Sequence, residues 1–128
     1  MKKSTLLLFL CLVVLATACK KDEKVQEVYS MGIYSFNSNH FQDLQVIENY
    51  LQSKGAILTG YMVEAENTSQ ANQKAIEVYD QKVNLIDITE LAGLVEGRTS
   101  FKYSLVRATP EGSSEDQYIK EKEYRFND

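Results

Sequence analysis

The chain holds one histidine, no tryptophan and only two cysteines, Cys11 and Cys19. Beyond residue 19 there is no thiol, which excludes a disulfide framework, a redox pair or a cysteine metal site from the rest of the chain. With His40 as the sole imidazole, a catalytic triad or a histidine-based metal centre would have to draw its other members from acids. No phosphate-binding loop, dinucleotide fingerprint or nucleophile elbow occurs, and no acid cluster has the glycine and ligand spacing of an EF-hand. No apolar run reaches the ~20 residues that a membrane-spanning helix needs. Positive charge is also scarce, with 14 Lys and Arg against 18 Asp and Glu. That balance argues against a nucleic-acid partner and against a basic membrane patch. No internal repeat or low-complexity segment is present. These absences together predict a protein without a cofactor or metal and without enzymatic activity.

What is present begins at the amino end. Lys2 and Lys3 precede an unbroken apolar run from Leu6 to Ala16, LLLFLCLVVLA. A charged start followed by a short apolar run is the pattern of a secretory signal. The small residues Ala16-Thr17-Ala18 lead to Cys19, and Lys20-Lys21-Asp22-Glu23 follows. Ala16-Thr17-Ala18 also has the A-x-A form of an ordinary signal cleavage site.

Residues 1 to 23 resemble the lipobox signal of bacterial lipoproteins, and the charged run after Cys19 resembles the surface-export signal of Bacteroidetes-type lipoproteins. Ala16 stands where that family prefers leucine, with Leu15 one place further back. The resemblance implies that residues 1–18 are removed and that the Cys19 thiol carries a diacylglycerol. The new amino group is then usually acylated. Two or more acyl chains hold a protein stably on a bilayer, whereas one does not. The implied location is the outer membrane, with the body facing either the periplasm or the cell exterior. The processed chain has 110 residues (128 minus 18), enough for one domain with its own core. Removing Lys2 and Lys3 from the 14 basic residues leaves 12 against 18 acids, a charge of −6. Residues 19–27 read as the lipidated cysteine and a polar tether, and 28–128 as a single domain.

Within that domain, Val28 to Phe36 is aromatic and β-branched. Tyr29, Met31 and Ile33 fall on one face and Val28, Tyr34 and Phe36 on the other, which predicts an inner strand. Asn37-Ser38-Asn39 offers helix caps. A helix over 40–54 follows, with Phe41, Leu44, Ile47 and Leu51 as its apolar stripe, Asp43 in the first turn favouring the helix dipole, and Gly55 as its left-handed stop. Residues 57–65 alternate as a strand. Asn67 and Gln70 have capping-box spacing before a second helix to about residue 83, which buries Ala71, Ala75, Ile76, Tyr79 and Val83. Asp87 and Glu90 start a short helix ending at Gly93. Residues 98–108 form a strand with Phe101, Tyr103 and Leu105 inward and Ser100, Lys102 and Ser104 outward. Thr109 to Ser114 is a turn by composition. Residues 117–126 form a last strand whose charged middle suits an exposed edge.

The expected fold is α+β: a two-layer sandwich of about four strands, mostly antiparallel or mixed, with the two main helices on one face. The other sheet face is then open to water or to a partner. Lys102, Ser104, Glu121 and Glu123 are its candidate partner-binding residues. The best-supported reading is a non-catalytic module binding a protein or glycan at the cell envelope. The alternatives are an envelope inhibitor that blocks a hydrolase with the 109–116 turn or the open face, and a small hydrolase using acids and His40. The latter would need His40 beside an acid in a concave pocket, whereas a surface or capping histidine requires nothing further.

Overall fold

The computed structural model describes residues 23–109 and 117–128. The expected signal at residues 1–18, Cys19 and most of the expected 109–116 turn lie outside the described residues. The elements run β1 (Val25–Ser38), α1 (Gln42–Ser53), β2 (Leu58–Ala65), α2 (Thr68–Leu85), α3 (Ile88–Ala92), β3 (Thr99–Arg107) and β4 (Gln117–Phe126). The strands form one antiparallel sheet in the order β2-β1-β3-β4, so the expected α+β class and order of elements hold. β1 is an inner strand and β4 an edge, as the residue patterns imply. β1 starts earlier than the periodicity indicates. Val25 already pairs with Ala65, so the end of the polar tether belongs to the sheet.

The core lies between the sheet's inner face and the helices. Tyr29 and Met31 of β1 and Phe101, Tyr103 and Leu105 of β3 meet Ile47, Tyr50 and Leu51 of α1 and Ala71, Ala75 and Tyr79 of α2. Each large apolar side chain buried here contributes about 1.5–3 kcal/mol. The tyrosines bring hydroxyls into the core, and most are satisfied. Tyr79 donates to the Tyr103 carbonyl at 2.6 Å, and Tyr103 donates to the Ala56 carbonyl at 2.6 Å. The two rings stack at 5.1 Å. Tyr124 stacks on Phe101 at 4.9 Å, yet its buried hydroxyl has no hydrogen-bond partner. Desolvation pushes all three phenols above their ordinary pKa, Tyr124 up to about 12, so they remain neutral at physiological pH.

The starts of α2 and α3 and the stop of α1 follow the sequence signals, but Asn37-Ser38-Asn39 does not cap α1: Asn37 and Ser38 belong to β1, and Phe41 takes the cap position without a side-chain hydrogen bond. The Asn67 side chain accepts from the Gln70 N–H at 2.8 Å, and Asp87 Oδ1 accepts from Thr89 and Glu90 N–H at 3.0 and 3.2 Å. Gly55 has φ +66°, the left-handed conformation that ends α1 without a Cβ penalty. The start of α1 departs from expectation. Its buried stripe is Asp43, Ile47, Tyr50 and Leu51, while Phe41 precedes the helix and is 81% exposed. A carboxylate, not the phenyl ring, takes the inward position of the first turn.

Two bulges set which side chains face inward. Gly60, at φ +69°, sits in the register jump between Tyr29↔Tyr61 and Met31↔Leu58, where two residues of β2 oppose one of β1. A second jump on β1, between Ile33↔Tyr103 and Ser35↔Lys102, makes Tyr34 the extra residue. Beyond it Phe36 pairs with Phe101 and packs against the core, which corrects its expected place beside Val28 and Tyr34. On the edge strand, Lys120 reaches over the Tyr79 ring and pairs with Asp80 at 2.7 Å, and Lys122 lies over the Tyr124 ring. These lysines cover the core's rim with their stems and leave charge on the edge, which discourages pairing with another chain.

Candidate functional site

The outer sheet face carries three of the four residues singled out from the sequence. Lys102 is directly opposite Glu123, and its ammonium lies 3.9 Å from the Glu121 carboxylate. Arg125, two residues along the same face of β4, pairs with Glu123 at 3.2 Å. The result is a mixed-charge group on a rigid two-strand platform. Such exposed pairs contribute at most about 1 kcal/mol to stability, so their arrangement has more to offer recognition than folding.

Ser104 does not belong to that exposed group. It takes its outward register between Gly32 and Glu121, but it is fully buried and its hydroxyl has no partner. The cause lies in the flanking strands. Tyr34, displaced by the β1 bulge, and Tyr118 of β4 meet edge to face at 5.9 Å and 87°. β1 and β4 flank β3 on its two sides, so the rings meet across it, where its outward residues are Ser104 and Val106. Both of those are buried. The outer face is therefore not a plain polar surface. It carries a tyrosine pair, each ring about half exposed, beside the charges. Tyrosines so placed supply rigid amphipathic contact area at low entropic cost.

A second cluster went unrecognised in the sequence. Asp43 is 1% exposed at the start of α1. Its carboxylate accepts from Glu96 N–H at 3.1 Å, Gly97 N–H at 2.9 Å and the Thr99 hydroxyl at 2.6 Å. Burial by itself raises the Asp43 pKa. The Thr99 hydroxyl, the two backbone donors and the nearby His40 outweigh it, and the pKa is lowered overall. Asp43 thus ties the 96–99 loop to α1. The loop passes so close that a Cβ on Gly97 would come within 2.5 Å of His40 Cβ and 2.6 Å of Asn39 Oδ1. Asn39 and Asn127 complete the tie, through Arg98 N–H at 2.8 Å and the Gly97 carbonyl at 2.8 Å. A lone Asp in a first turn signals a helix start, and nothing in sequence spacing links it to residues fifty positions away.

His40 does stand beside an acid, with Nε2 3.1 Å from Glu96, but that carboxylate is 77% exposed. The Ser38 hydroxyl accepts from His40's own backbone N–H at 2.9 Å and also contacts Thr99 Oγ1 at 2.5 Å. The imidazole and hydroxyl are not joined as base and nucleophile. Among the described residues no group of three or more His, Cys, Asp or Glu side chains is placed to hold a metal ion, and no helix is long and apolar enough to cross a membrane. No protein-family model matches the chain, and no curated protein or solved structure is significantly similar to it.

Proposed function

We propose that this is a lipid-anchored protein of the cell envelope, held in the outer membrane through Cys19, whose folded body is a non-catalytic binding module for a protein or glycan. The observation that carries the reading is the outer sheet face, where the Tyr34–Tyr118 pair stands next to Lys102, Glu121, Glu123 and Arg125. Aromatic area gives a partner something to bury against, and mixed charge on a stiff sheet gives it an orientation and a salt-sensitive rate of encounter. The polar tether after Cys19 would keep this acidic body away from an anionic membrane surface. Among the described residues the His40–Glu96 pair is the contact that a hydrolytic reading can draw on, and its carboxylate is exposed on the surface.

Two measurements test the proposal. Mass spectrometry of the mature amino terminus should find Cys19 as residue one, carrying acyl chains, and an unmodified or absent cysteine defeats the anchor. Partner capture by crosslinking on intact cells should fall sharply in the double variant Lys102→Glu, Arg125→Ala, with melting little changed. Ser104 is left alone because any larger residue there would have to be buried. Undiminished capture by the folded double variant defeats the outer face as the binding surface. Turnover of an envelope substrate that His40→Ala abolishes, with folding retained, would overturn the non-catalytic reading.

A further inference from the structure

β1 is longer than the strand beside it. Its pairing with β2 ends at Met31↔Leu58, while its pairing with β3 continues to Ser38↔Thr99. From Gly32 to Ser38, β1 therefore has a neighbour on one side only, and among the described residues no other backbone group bonds to its open side. That leaves about 20 Å of strand edge at ~3.3 Å per residue.

The three free edges of this sheet are not alike. β4 carries Lys120, Glu121, Lys122, Glu123 and Arg125. β2 is bent by the Gly60 bulge and bears Glu64. Both devices deter strand pairing. The open part of β1, GIYSFNS, has no charge, no proline and a high content of β-forming residues. Its own bulge at Tyr34 interrupts the pleat between Ile33 and Ser35, but among the described residues this edge carries no charge to deter another strand.

Beside it lies a notch of about 290 Å³, open to solvent. Its apolar lining includes Ile33, Ile57 and Leu58, and its α1 side carries Glu48 and Gln52. Among the described residues the Glu48 carboxylate has no ion-pair or hydrogen-bond partner. A mixed lining, in which Ile33, Ile57 and Leu58 stand with Gln52, Thr59 and the Glu48 carboxylate, matches a lysine or arginine side chain, whose aliphatic stem packs while the cation meets the acid.

We infer that the Gly32–Ser38 edge binds an extended peptide segment of a partner protein by strand addition, with a basic side chain of that peptide seated in the notch against Glu48. Backbone hydrogen bonds supply the affinity of such a mode, and the side-chain pocket supplies the selectivity. A second copy of this chain fits less well. Its own edge segment brings no cation for Glu48, and it adds another Glu48 to the same region. The inference rests on the reading of this domain as a binding module but places the peptide along the Gly32–Ser38 edge and against Glu48, and not on Lys102, Glu121 and Glu123, with Tyr34 common to both surfaces.

The test is selection of a phage-displayed random nonapeptide library on the intact protein. Enriched peptides should carry Lys or Arg among β-branched or aromatic residues. Their capture should fall at least tenfold on Glu48→Lys and less on Glu48→Gln, and stay unchanged on Lys102→Glu. Adding a selected peptide should slow amide hydrogen exchange across residues 32–38. No enrichment, enrichment of peptides indifferent to Glu48→Lys, or protection elsewhere would overturn the inference. Protection of 32–38 that grows with protein concentration in the absence of peptide would also overturn it and assign the edge to a second copy. Loss of capture on Lys102→Glu alone would leave the outer-face reading standing and sink this one.

Discussion

Replacing Asp43 by alanine is the most searching perturbation of this fold. The change removes the acceptor for the Glu96 and Gly97 N–H groups and the Thr99 hydroxyl, and for a longer contact from the Ser38 hydroxyl at 3.4 Å. Hydrogen bonds to a charged group contribute about 1.5–3 kcal/mol each, and a buried donor left unpaired costs about 1–3 kcal/mol. These losses share one node and do not add in full, so the expected cost is about 3 kcal/mol or more. For a domain of this size each kcal/mol lowers Tm by about 4–8 °C. Circular dichroism melting should then show a drop of more than about 10 °C. Asp43→Asn keeps one acceptor oxygen but turns a donor toward the same N–H groups, and should recover only part of the loss. The wild-type contribution also depends on pH. The folded pKa of Asp43 lies below the ordinary 3.8, so the stabilisation is complete above that value and disappears as pH falls through the lowered folded value. Asp43→Ala should accordingly flatten the acid limb of the stability curve. A Tm drop under about 4 °C, with an unchanged acid limb, would refute the view that this carboxylate holds the 96–99 loop in place.

Gly97→Ala should destabilise by about 1–3 kcal/mol in denaturant titration, because its Cβ would press into His40 and Asn39 and those neighbours must shift. Tyr124→Phe removes a buried hydroxyl that has no partner, so equilibrium unfolding should show no loss and a gain of up to about 1 kcal/mol. A clear loss would mean that the hydroxyl is satisfied after all. Asn67→Ala takes away the cap of α2 and should cost about 1 kcal/mol by the same assay, with the effect on helical circular dichroism confined to the early part of the melt.

Periodicity and capping residues carried much of this fold. The strand and helix patterns, the Asn67 and Asp87 caps and the Gly55 stop are all local signals, and the two caps and the stop sit where the sequence places them. The failures are equally specific. A strand pattern assumes strict alternation, and the extra residue at Tyr34 resets it, which turns Phe36 inward. Ser104 follows the alternation and still ends up buried, because the rings that enclose it come from two other strands. Phe41 looks like the first residue of an apolar stripe, yet the core at that end of α1 is occupied by a carboxylate bound to a distant loop. For the candidate site, Lys102, Glu121 and Glu123 could be placed on one face from alternation alone. The tyrosine pair beside them, the Asp43 tie and the open edge of β1 all depend on strand order and register, which single-sequence patterns do not encode.

The overlap of β1 with its two neighbours has a mechanical consequence. Val25 to Val28 is held by β2, Tyr29 and Met31 are held on both sides, and the remainder is held by β3. Tension that reaches Val25 along the chain pulls the strand lengthwise, so the rungs of both ladders share the load and must yield together. A strand lifted sideways from an edge would instead lose its rungs one at a time. Resistance to such a pull is set by the unfolding rate under load and not by equilibrium stability. A body tugged through its amino end meets force in the direction in which this sheet is stiffest.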